Sequence, residues 1–131
     1  MKFLIAAGLA SLIIVISGIT LSLVLGDAAK DLAGKFTFEM SGGARFAYHI
    51  GLRILSAVAL TALVFYLAPA SKGLTPFFIV VTAAWALAYI PAFLLLADVA
   101  VMPLRAAFIT IAWGWAEFAL AGYAAARMLG K

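Results

Sequence analysis

Four long apolar runs, almost empty of charge, take up most of the chain. Residues 3–25 and 77–97 contain no charged side chain, residues 46–70 are interrupted by His49 and Arg53, and residues 104–126 by Arg105 and Glu117. A helix crosses the hydrocarbon core of a bilayer with about 20 apolar residues at about 1.5 Å rise each, so each run is long enough to span. A transmembrane barrel would need apolar residues at alternate positions, and runs such as Leu12-Ile13-Ile14-Val15-Ile16 show no alternation. The pattern predicts an all-α fold, a four-helix transmembrane bundle formed by residues 1–131 as one integral membrane domain.

Composition closes off the other classes. Of the 131 residues 68% are hydrophobic and 11% charged, and mean hydropathy is +1.23. Soluble domains run at about 45–50% apolar and about 25% charged, so a water-facing surface could not be built from this chain. The first run opens after Met1-Lys2 like a signal peptide, but its 23 uncharged residues exceed the usual apolar length of about 7–15, so it reads as a retained membrane helix. A net charge of +4 and a pI of about 9.7 come from residues flanking the runs, with no aromatic-interleaved basic patch of the kind that binds nucleic acid.

An even number of spans returns both termini to one side. That side holds Lys2, Lys72, Arg127 and Lys131; the opposite side holds Lys30, Lys35, Arg45 and Arg105 among Asp27, Asp31, Glu39 and Asp98. The unopposed positive charge at the ends points to cytoplasmic termini. Between the first two spans, Ala28, Leu32, Phe36 and Met40 recur every fourth residue, which predicts a short interfacial helix ended by Ser41-Gly42-Gly43. Residues 71–76 read as a tight turn, and Pro76 suits the first position of the third helix. Short connections predict that the second, third and fourth spans pack as sequential antiparallel neighbours.

Several residues inside the spans need a reason to be there. Gly18, Ser22 and Gly26 recur every fourth residue in the first span, and Gly122 with Ala126 does so in the fourth; such faces let helix backbones approach closely, within a bundle or against a partner. Trp85, Trp113 and Trp115 lie deep, away from the boundary where indoles normally sit, so each N–H needs an acceptor. Trp113 and Trp115 must also point about 200° apart, which aims one of them at lipid, a neighbouring protein or a bound pigment or quinone. Pro91 removes a backbone hydrogen bond in mid-span and frees the carbonyl of Leu87, predicting a kink.

Charge inside the membrane is the sharpest signal. Glu117 lies near the middle of the fourth span, where an ionised carboxylate is paired or functional. Arg53, about 12 Å deep, and His49 share a face of the second span, and an Arg53–Glu117 pair is within reach; Asp98 with Arg105 or Arg53 is a competing pair at the boundary. Three roles fit Glu117: one half of a register-fixing ion pair, a neutral hydrogen-bond donor, or a carrier of protons, ions or substrate. His49 reads as a boundary histidine bonded to a carbonyl, with ligation of a haem or chlorophyll as the alternative.

Catalytic signatures are missing. There is no cysteine and one histidine, and neither HExxH, GxSxG, a phosphate loop nor a clustered carboxylate occurs. The reading is of a non-catalytic protein with no cofactor and no metal site.

In the second half, Ala84-Trp85-Ala86-Leu87-Ala88-Tyr89-Ile90-Pro91, Pro103-Leu104-Arg105, Trp113-Gly114-Trp115-Ala116-Glu117 and Gly122-Tyr123-Ala124-Ala125-Ala126 together resemble a group of small, uncharacterised bacterial four-span membrane proteins. The resemblance covers about 50 residues. It implies a four-span fold with Glu117 as part of the common scaffold, and no activity.

The predicted function is that of an accessory or structural subunit of a larger respiratory, photosynthetic or transport complex. Its partners would be lipid and other membrane subunits or copies of itself. The alternative is a homo-oligomeric transporter or channel working through Glu117 and Arg53.

Overall fold

The computed structural model describes residues 1–35, 42–68 and 74–130. It consists of α1 (Lys2–Leu25), α2 (Asp27–Lys35), α3 (Gly42–Leu67), α4 (Leu74–Asp98) and α5 (Leu104–Leu129), with no strand among the described residues. All except α2 are long and apolar enough to cross a membrane. The chain is an all-α four-helix bundle of membrane-spanning helices. The second span begins four residues earlier than the apolar pattern suggests, because Gly42 to Arg45 continue the helix outward from the apolar segment. Phe36, Met40 and Ser41 of the connecting pattern, and Ser71, Lys72 and Gly73 of the second turn, lie outside the described residues.

The core is built from small residues on α1 and α5 and branched ones on α3 and α4. Ala6, Ala10 and Ile14 of α1, Ala57, Leu60 and Val64 of α3, Phe77 and Val81 of α4, and Phe118, Ala121 and Ala125 of α5 form one buried cluster. Small side chains let α1 and α5 approach closely, and α5 contributes the largest number of buried residues of any helix. The main packing contacts run α3–α1–α5–α4, and α3 meets α4 least of the four spans' neighbouring pairs. Of the expected sequential neighbours, the third and fourth spans do pack closely as α4 and α5, whereas the second and third, α3 and α4, meet only slightly. The buried stripe of α3 has its complement in the alanine face of α1, so the chain neighbour gives way to the better-fitting surface.

α2 lies at the end of the bundle remote from the termini. Ala28 packs beside Met102, Ala106 and Ala107, and Lys35 Nζ donates to the carbonyl of Ala100 at 3.3 Å. Ala100 carries a positive φ of 56° in the turn between α4 and α5. Gly26, read from sequence as a packing residue, instead ends α1 with φ 53°, and a Cβ there would meet open space. Its role is the left-handed turn between α1 and α2, a conformation costly for residues with a side chain. Pro91 lies within α4, which continues beyond it to Asp98; Pro91 and Leu87 both face outward.

A candidate functional site at the centre of the bundle

Helical rise brings the intramembrane charges to one level. α3 and α5 both start at the end remote from the termini, and Arg53 lies about 16 Å along α3 while Glu117 lies about 20 Å along α5. The first four residues of α3 lie outside the apolar run, so Arg53 keeps the depth of about 12 Å counted from that run. Arg53 Nη1 stands 3.5 Å from Glu117 Oε2, with 20% of the arginine side chain and 2% of the glutamate side chain exposed. The other carboxylate oxygen, Oε1, accepts a hydrogen bond of 2.9 Å from the Tyr89 hydroxyl of α4. Arg53 Nη1 also donates to the carbonyl of Ile14 on α1 at 3.2 Å. Four helices thus contribute to one polar cluster in the middle of the bundle.

Two glycines make room for it. A Cβ on Gly18 would collide with the Arg53 guanidinium, and one on Gly114 would collide with the Tyr89 ring. Gly18 is therefore the port through which the guanidinium reaches the α1 backbone, one helical turn from the carbonyl it binds. This goes beyond the plain helix-packing role read from the Gly18, Ser22, Gly26 spacing. Ser22 turns its hydroxyl back to the Gly18 carbonyl at 2.9 Å, and Gly122 does serve close helix approach, since a Cβ there would lie 3.0 Å from Val81 Cγ2.

His49 is joined to the cluster on its exposed side. Arg53 Nε donates to His49 Nε2 at 3.0 Å. The guanidinium has no lone pair to accept with, so the imidazole nitrogen is the acceptor and carries no proton. The partner is thus a side chain and not the backbone carbonyl expected from sequence. The Arg53 pairing falls to Glu117 rather than to Asp98.

The deep indoles find acceptors without water. Trp113 Nε1 donates to Ser17 Oγ on α1 at 2.8 Å, Trp115 Nε1 to Thr82 Oγ1 on α4 at 3.2 Å, and Trp85 Nε1 to the Ile111 carbonyl at 2.8 Å. Trp113 and Trp115 diverge to opposite flanks of α5, and Trp115, 41% exposed, is the one turned toward the surroundings. Among the described residues no buried side-chain nitrogen or oxygen lacks a hydrogen-bond partner, and no group of three acidic, histidine or cysteine side chains could hold a metal.

Sequence reading singled out Glu117, Arg53 and His49 but passed over Tyr89 and Gly114. The signal for Tyr89 was available, since a tyrosine so far from either helix end needs an acceptor for the same reason a deep tryptophan does. Comparison of the chain with protein-family models, with curated proteins and with solved structures finds no match.

Proposed function

We propose that this chain is a non-catalytic subunit of a larger membrane assembly, held in a bacterial inner membrane with its termini in the cytoplasm. The observation that carries the reading is the state of α4. Of its described residues only Phe77 and Val81 are fully buried, while Phe78, Ile79, Leu87, Leu94 and Leu95 are exposed. Membrane helices associate through close packing and not through a hydrophobic driving force, so a span fixed along one edge leaves most of its packing surface for another protein. The internally satisfied Arg53–Glu117–Tyr89 cluster supports a scaffold role, because each carboxylate oxygen already has a partner within the chain.

Native mass spectrometry of the tagged protein, extracted from its own membrane in mild detergent, tests this. Stoichiometric foreign subunits are the expected result, and a monodisperse particle of this chain alone would overturn the proposal.

One observation favours a second reading, a homo-oligomeric transporter. His49, Arg53, Glu117 and Tyr89 form a continuous polar series from the exposed side of α3 to the bundle interior. Liposome flux that disappears in Glu117→Gln would support transport, and equal flux with and without the protein would remove it.

A further inference from the structure

Arg53 is held from two sides. Its Nη1 stands 3.5 Å from Glu117 Oε2, while its Nε donates at 3.0 Å to His49 Nε2, one turn earlier on α3. A guanidinium in direct charge-assisted contact with a carboxylate closes to about 2.7–2.9 Å, so this pair is held open. The remaining anchor, the Ile14 carbonyl at 3.2 Å from Nη1, does not titrate.

The hold from His49 depends on the charge of its ring. An imidazole nitrogen accepts a hydrogen bond only through a lone pair, so Nε2 is bare and the proton of the neutral ring sits on Nδ1. A second proton enters at Nε2. It turns the acceptor into a donor facing another donor, and it sets a positive imidazolium against a positive guanidinium. Both effects end the contact and push the guanidinium toward Glu117.

The ring is also the member of the cluster that a proton reaches first. His49 is exposed and lies about 5 Å inside the apolar run 46–70, whereas Glu117 is shut in the bundle. Toward this end the other charged or titratable side chains on the packed helices are Arg45 and Tyr48 on α3, Tyr89 and Asp98 on α4, and Arg105 and Glu117 on α5. α1 carries none between Phe3 and Leu25. Tyr89 is committed to Glu117 Oε1, which leaves Oε2 to receive the guanidinium.

We propose that His49 is a proton-sensitive latch on the intramembrane ion pair. When neutral it holds the Arg53 guanidinium away from Glu117; when protonated it lets go and the pair closes. His49 is then a positioning residue that relays acidification at the end of the bundle remote from the termini to a carboxylate at its centre. The latch requires neither the assembly reading nor the transport one.

The test is an NMR titration of the full chain in phosphatidylcholine nanodiscs, isotope-labelled at the histidine and arginine nitrogens and the glutamate carboxyl carbons. It runs from about pH 8 to about pH 4.5, across the range in which an imidazole changes charge. As the only histidine, His49 identifies itself, and Arg53→Lys and Glu117→Gln identify the other two signals. At the alkaline end one ring is expected, with Nδ1 protonated and Nε2 bare. On acidification the Arg53 Nε and Glu117 carboxyl resonances should shift with the same midpoint as the ring. In His49→Gln, whose amide oxygen accepts without titrating, both should stay near their alkaline positions across that range. In His49→Leu, which has no acceptor, both should sit near their acid positions throughout. A ring that carries its proton on Nε2 at the alkaline end, or that stays neutral to the end of the titration, would overturn the latch. So would a ring that titrates while Arg53 and Glu117 stay still, or a response of those two that persists in both His49 variants.

Discussion

A charge in a bilayer is tolerated when its partners are fixed in advance, and here the fixing is done by residues that carry no charge. Arg53 reaches both Glu117 and the Ile14 carbonyl because Gly18 has no side chain. Gly18→Ala should therefore destabilise the bundle by about 1–3 kcal/mol, as the guanidinium is pushed off its acceptors. Gly8→Ala, where a Cβ meets nothing, serves as the control and should be neutral or slightly stabilising. Thermal unfolding in one detergent compares the two. The ion pair makes a second prediction. Arg53→Met or Glu117→Leu alone leaves the other charge buried and should cost about 3–5 kcal/mol, whereas the double variant should lie closer to the parent than either single one. Equal and additive losses would mean that the two side chains do not act on each other. The pair was legible in sequence because depth along a helix can be counted. Gly114 was not, because its role depends on which face of α4 meets which face of α5, and both are apolar nearly all round; depth marks Tyr89 as needing an acceptor but does not say which one.

At the level of elements, apolarity located the helices but could not arrange them. A soluble helix shows its buried face by contrast with polar residues. In α1 and α4 lipid and neighbouring helices are contacted by the same residue types, so the expected order of neighbours rested on loop length alone. The structure instead matches the alanine-rich face of α1 to the branched stripe of α3. The turn between α4 and α5 offers a test of local strain. Ala100, at φ 56°, is a non-glycine residue in the left-handed region, and its carbonyl accepts from Lys35 of α2. That conformation costs a residue with a Cβ about 1–2 kcal/mol, part of which glycine returns as lost unfolded-state entropy. Ala100→Gly is expected to stabilise the protein by about 1 kcal/mol, read as a higher melting temperature at unchanged helicity. A lower melting temperature would show that the turn does not adopt this conformation in the membrane.

For the whole molecule, the strongest consequence is topological. α1, α3, α4 and α5 are each long enough to cross, so positions 2 and 127 share one face of the membrane and α2, with position 31, lies on the other. Antiparallel contacts agree with this, since Phe3 near the start of α1 stacks edge-on against Phe65 near the end of α3 at 5.9 Å. The sequence contains no cysteine, so a single introduced thiol is an unambiguous reporter. Lys2→Cys, Arg127→Cys and Asp31→Cys all replace exposed residues. In sealed vesicles of known orientation, a membrane-impermeant maleimide added from outside should label either the first two or the third. Labelling of Lys2→Cys and Arg127→Cys only after the vesicles are opened inside-out would place the termini in the cytoplasm, as the unopposed positive charge at the ends predicts. Opposite labelling of those two positions would mean an odd number of crossings. If α4 were the helix that failed to cross, Arg53 would also be parted from Glu117, because the pair requires α3 and α5 to enter from the same face.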